Sequence, residues 1–199
     1  MDQIRVLIII IMSTVLVNNY VLSQFLGICP FLGVSKELKN AVGMGAAVIF
    51  VMLLATCVTW PIQTYILESN GFGYMQTIVF ILVIAALVQL VEIILKKFIP
   101  SLYTALGVYL PLITTNCAIL GVTIDNIMKG YTFLQAIIQA LGAGIGFLLA
   151  MVLFAGIREQ LQNADPPPSF KGIPITLCAA TILSLSFFAF VGVAENLFG

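Results

Sequence analysis

Cys29 and Cys117 occupy the same place in two copies of one short pattern, Cys29-Pro30-Phe31-Leu32-Gly33-Val34-Ser35 and Cys117-Ala118-Ile119-Leu120-Gly121-Val122-Thr123. Both copies read C-x-x-L-G-V-[S/T], and both fall in hydrophobic stretches long enough to cross a bilayer. A thiol among apolar residues ordinarily behaves as a small hydrophobe. Thiols at matching positions of a duplicated unit point instead to a ligand pair for a soft metal centre. A [2Fe–2S] cluster takes four thiolates, so this pair makes half a site and a second protein chain must bring the other half. A disulfide between Cys29 and Cys117, or a redox-inert thiol pair, are the competing readings.

The other two cysteines do not complete the set. At about 1.5 Å of rise per residue, Cys57 lies about 26 Å up its span from the cytoplasmic side, and Cys178 only about 8 Å into its own. Both read as core packing. Thr115 and Asn116 precede Cys117 and are candidates to donate hydrogen bonds toward cluster sulfurs; capping a broken helix is the alternative role. Asn18 and Asn19 lie deep in an apolar stretch, where amides need partners in broken backbone or in a neighbouring protein. Glu92 with Lys96 four residues on reads as a snorkelling surface pair. Glu68, Asp125 and Glu195 fall at span ends and are expected to be solvated, so no span centre carries a carboxylate.

These residues must be placed by membrane helices. The chain has 199 residues, of which 61% are hydrophobic and 8% charged, and its mean hydropathy is +1.16. Soluble domains carry about a quarter charged residues, so the composition is that of an integral membrane protein. With zero net charge and no histidine, neither nucleic-acid binding nor aqueous acid–base catalysis is expected. The first apolar stretch lacks a basic n-region and a small-residue cleavage site, and so reads as a true span rather than a signal peptide. Six stretches reach the length of about 20 residues that a span needs, at 4–27, 41–66, 74–95, 101–124, 132–157 and 173–195. Short polar breaks at 35–40, 68–73, 96–100, 125–130 and 158–171 separate them, the last holding Pro166-Pro167-Pro168. One side collects Lys36, Lys39, Lys96, Lys97, Arg158 and Lys171; the other has only Arg5 and Lys129. The basic side should be cytoplasmic, which leaves both termini outside.

The expected fold is all-α, six transmembrane helices arranged as an inverted 3+3 repeat, with residues 1–99 the first unit and 100–199 the second. Beyond the cysteine motif, Ala41-Val42-Gly43-Met44-Gly45 resembles Ala140-Leu141-Gly142-Ala143-Gly144. Three spans per unit force opposite topology on the two units and a pseudo-two-fold axis in the membrane plane. Small residues such as Gly142-Ala143-Gly144-Ile145-Gly146 let helices approach closely. Residues 4–35 as one helix would be about 48 Å long, too long for a core of about 30 Å. Breaks are expected at Gly27, Pro30 and Gly33 in span 1, and at Pro111, Thr114-Thr115-Asn116 and Gly121 in span 4. Half-helices meeting near the midplane would bring both thiols to the axis.

The chain closely resembles the membrane subunits shared by two bacterial complexes: Rnf, an ion-translocating ferredoxin:NAD oxidoreductase, and Nqr, the sodium-translocating NADH:quinone oxidoreductase. The likeness runs nearly end to end through Val15-Leu16-Val17-Asn18-Asn19, Phe25–Lys36, Leu106–Cys117 and Ala155-Gly156-Ile157-Arg158-Glu159. Cys29-Pro30 and Thr114-Thr115-Asn116 look more like RnfA, the A component of Rnf, than NqrE, the E component of Nqr. The resemblance implies a multi-pass component of the cytoplasmic (inner) membrane that pairs with a homologue of opposite topology, RnfE, beside the other Rnf subunits. It implies one shared [2Fe–2S] cluster with Cys29 and Cys117 as this chain's ligands, and electron flow from ferredoxin to NAD coupled to export of Na⁺ or H⁺. A substrate site in this chain alone is not expected, so the chain is a component of an enzyme. A reading of a different class is a small inverted-repeat secondary transporter, disfavoured by the scarcity of polar groups in the broken regions.

Overall fold

In the computed structural model, residues 2–35, 38–69, 71–98, 110–163, 167 and 170–198 are described; side chains are described over most of these ranges. The expected start of span 4, most of the Pro166-Pro167-Pro168 run, Lys36 and the Glu195 side chain lie outside that set. The described residues form helices and their connections: α1 (Asp2–Met12), α2 (Ile28–Val34), α3 (Leu38–Ile62), α4 (Gln76–Phe98), α5 (Leu110–Thr114), α6 (Cys117–Met128), α7 (Phe133–Gln162) and α8 (Ile173–Phe198). Three stretches are long and apolar enough to cross a bilayer: Leu38–Leu67, Gly73–Ile94 and Phe133–Leu161. The apolar windows found in the first and last helices, Arg5–Val17 and Ile173–Ala189, are shorter.

Span 1 is broken at Gly27 as expected, but the break begins well ahead of it. α1 runs into a π-helical turn at Ser13–Val17, where Asn18 N–H bonds back five residues to Ser13 O at 2.7 Å. The chain then leaves helical geometry over residues 18–27, through Phe25 (φ 56) and Gly27 (φ 81). A left-handed Phe is a true outlier, since its Cβ crowds the backbone there. Pro30 and Gly33 lie inside α2 instead. Pro30 is tolerated because it sits in the first turn, where its missing N–H has no carbonyl to reach. In span 4 the break falls at Thr115 and Asn116 as expected, with Pro111 absorbed into α5 and Gly121 into α6.

α3 continues past Pro61 into a second π-helical turn, Gln63–Leu67. Pro61 cannot donate to the carbonyl four residues back, and the ladder slips by one position just beyond it. The centre of the molecule is the contact of α3 with α7, made close by glycine. A Cβ on Gly45 would lie 2.5 Å from Leu148 Cδ1, and one on Gly144 would lie 2.7 Å from Ile49 Cγ1. Adding 99 to 45 and 49 gives 144 and 148, so the two contacts are reciprocal. Reciprocity of this kind is what a two-fold relation between helices produces.

Two further expectations are corrected. The polar stretch 158–171 does not begin at Arg158, because α7 carries on to Gln162. Cys178 is exposed on α8 rather than packed in the core, while Cys57 is half-buried.

Candidate redox-centre half-site

Cys29 is the second residue of α2 and Cys117 the first of α6. Both are free and exposed on the surface of the chain. Helix N-termini carry unpaired N–H groups and the positive end of the helix dipole, a setting that favours negatively charged sulfur ligands. Each start is set by its own local chemistry. Gly27 turns the chain into α2 with a positive φ that side-chain-bearing residues rarely adopt. Asn116 caps α6 through its side-chain oxygen, which accepts from Ala118 N–H at 3.0 Å. Thr115 donates to Pro111 O at 3.1 Å, and the Cys117 thiol lies 3.9 Å from Thr115 O.

The two breaks touch. A Cβ placed on Gly27 would lie 2.9 Å from Asn116 Oδ1, 3.0 Å from Phe147 Cε2 and 3.2 Å from Ala118 Cβ. The motif glycines interlock in the same way: Gly121 faces Leu26, three residues before Cys29, and Gly33 faces Leu112, five before Cys117. The motif backbones are therefore brought together around one centre. Each thiol also borders a surface cleft beside that centre. Cys29 shares one with Leu32, Gly33, Arg158, Gly172, Ile173 and Thr176, so α8 forms a wall. Cys117 shares the other with Ile81, Ile84, Ala85, Thr114, Thr115, Asn116 and Leu120, so α4 forms the corresponding wall.

Polar side chains fix the break in span 1. Asn19 is buried and donates to Gly146 O at 2.8 Å and Val15 O at 3.3 Å, while its oxygen accepts from Val21 N–H at 3.0 Å. Gly146 leaves room for this amide; a Cβ there would lie 3.1 Å from Asn19 Nδ2. The Ser184 hydroxyl donates to Leu22 O, tying α8 to the same break. Asp125 is not simply solvated. Tyr20 donates to its Oδ2 at 2.5 Å, Gln139 at 2.7 Å, and Lys129 pairs with it at 2.7 Å. Glu92 is near Gln89 Nε2 at 3.4 Å.

Sequence reasoning passed over Arg158 as a marker of sidedness and Tyr20 and Gln139 altogether. The available signal was polarity inside apolar stretches, since such groups are costly there without partners.

The family described as "Rnf-Nqr subunit, membrane protein" matches residues 7–194. The chain belongs to this family. It is 58% identical over 186 residues to the A component of the Na⁺-translocating ferredoxin:NAD⁺ oxidoreductase complex of Acetobacterium woodii, covering 94% of this chain and 97% of that one. The A components of the ion-translocating oxidoreductase complexes of Syntrophotalea carbinolica and Serratia proteamaculans are 52% and 51% identical. They cover 96% and 94% of this chain, and 98% and 97% of their own lengths.

Among the described residues, no group of three or more Cys, Asp or Glu side chains is placed to hold a metal ion. A pair of thiols matches half of a four-thiolate site. One further observation fits a sulfur-rich group beside Cys117. Asn116 is buried, and its Nδ2 donor has no hydrogen-bond partner among the described residues. A buried donor of that kind is costly unless something accepts from it.

Proposed function

We propose that this chain is a membrane component of an ion-translocating ferredoxin:NAD⁺ oxidoreductase, and that it supplies half of the ligands to a [2Fe–2S] cluster shared with a homologue of opposite topology, RnfE. The observation that carries this reading is the contact of Gly27 with Asn116 and Ala118, which brings the two cysteine-bearing helix starts together. When bound, the cluster supplies one-electron carriage within the membrane. The protein's share is placement. Cys29 and Cys117 hold from two helix starts, and Asn116 both caps α6 and offers a spare donor toward sulfur. Residues of α4 flank Cys117 and residues of α8 flank Cys29. Electron flow through the complex is coupled to export of Na⁺ or H⁺. The two units form an inverted 3+3 repeat, and the reciprocal Gly45–Leu148 and Gly144–Ile49 contacts support the axis. The chain sits in the bacterial cytoplasmic membrane with both termini outside, on the basis of six basic residues against two.

The test is the intact complex carrying Cys29→Ala, Cys117→Ala, Cys57→Ala or Cys178→Ala, assayed for ferredoxin-driven NAD⁺ reduction and for a [2Fe–2S] EPR signal. The first two changes should each abolish signal and electron flow in an assembled complex. The last two should leave both nearly intact. A complex that keeps the signal without Cys29 or Cys117 overturns the assignment.

A further inference from the structure

α2 is only seven residues long, so it cannot hold its own shape and must be fixed from outside. Its start is fixed by the Gly27 contact. Its end is fixed by Arg158, which reaches from α7 and donates through Nη1 to Leu32 O at 2.6 Å and Ser35 Oγ at 2.9 Å. One turn earlier on α7, Phe154 stacks on Phe31 at 4.1 Å, and the guanidinium carbon lies 6.0 Å from that Phe154 ring. Leu32 O is one of the last four carbonyls of α2, which have no partner within the helix and which favour a cation. Arg158 is half-buried and lines the same cleft as Cys29. Among the described residues, the cleft of Cys117 has no charged lining side chain.

We infer that Arg158 is a positioning residue for the Cys29 half-site, clamping the end of α2 while placing a fixed positive charge in the Cys29 cleft. The inference rests on the shared-cluster reading above. A positive charge held in the same cleft as a redox group stabilises its more negative, reduced state and so raises its potential. Lysine keeps the charge, whereas glutamine keeps much of the bulk and some hydrogen bonding without it.

The purified whole complex, with wild-type chain, Arg158→Lys or Arg158→Gln, is titrated against redox potential while the [2Fe–2S] EPR signal is read. Arg158→Gln should lower the reduced-to-oxidised ratio at fixed potential about tenfold, which is about 59 mV for one electron. Arg158→Lys should restore most of that shift. An unchanged midpoint in a fully loaded Arg158→Gln complex overturns the inference, as does a lysine variant displaced as far as glutamine. If the glutamine variant carries no cluster, lysine decides: a loaded complex with a near-wild-type midpoint supports the inference, and an empty one overturns it. A wild-type signal that survives Cys29→Ala is the separate result that removes the cluster reading itself.

Discussion

The two copies of the cysteine motif share a pattern and differ in how they are held. α6 has 12 residues, an Asn116 cap and a break confined to Thr115 and Asn116. α2 has seven residues and follows a longer irregular segment with a left-handed Phe25. It depends on contacts from α7 at both ends: Phe147 beside Gly27, and Arg158 at Leu32 and Ser35. One duplicated pattern thus yields one helix start built mainly from local chemistry and another built mainly from tertiary contacts. A shared pattern in such a repeat does not bring shared mechanics with it.

Four substitutions grade this difference. Gly27→Ala should do the most harm, because it sets a side chain in left-handed geometry and drives it into Asn116 and Ala118. The two costs together come to about 2–5 kcal/mol. The check is the thermal midpoint of the detergent-solubilised complex, and a midpoint equal to wild type would show that the breaks do not abut. Asn19→Ala should follow, at about 1–3 kcal/mol, because Gly146 O and the Val21 N–H are left buried without their partner. Asn116→Ala should cost about 1 kcal/mol as a lost cap. If Asn116→Ala proved the worse of the two asparagine changes in the same assay, the claim that α6 is the more self-sufficient helix would fail. Lys129→Ala should cost least, about 0.2–1 kcal/mol, since its pair with Asp125 at the end of α6 is partly exposed. Its effect should shrink further in high salt, readable as a converging pair of thermal midpoints.

Much of this centre was legible in the sequence. The break before Cys117 follows from Thr114-Thr115-Asn116, because an asparagine offers a side-chain oxygen to the N–H groups of the helix it starts. The closeness of α3 and α7 follows from the glycines of the second shared pattern, Gly45 and Gly144. Of the three breakers read in span 1, Gly27 does stand in the break, with φ 81, whereas Pro30 and Gly33 lie inside α2. Proline in a first turn breaks nothing, while the actual break is stabilised by Asn19 reaching Gly146 O, a partner 127 residues away. An amide deep in an apolar stretch does announce that it needs backbone partners, and Asn19 finds Val15 O and Val21 N–H in the break itself, but nothing local names Gly146. Asp125 and Arg158 were misjudged for the same reason. Each looks like a charge at a span end until Tyr20, 105 residues from the aspartate, and Leu32, 126 residues from the arginine, are brought beside it. Depth along the span reads Cys178 as core packing, but depth does not say which helix face a residue takes, and Cys178 lies on an exposed one.

The distance in chain between α2 and Arg158 also has a consequence for how the protein is made. The helix ahead of the break, Asp2–Val17 with its π turn, is about 24 Å long and falls short of a bilayer core of about 30 Å. The ribosome releases Leu32 well before Arg158, which comes 126 residues later. At about 5–20 residues per second, that is a wait of about 6–25 s. Through that interval Leu32 O lacks the partner that holds the end of α2. A segment made before α7 is therefore finished only after it. α2, with Cys29 on it, gains its second anchor only when α7 has been made.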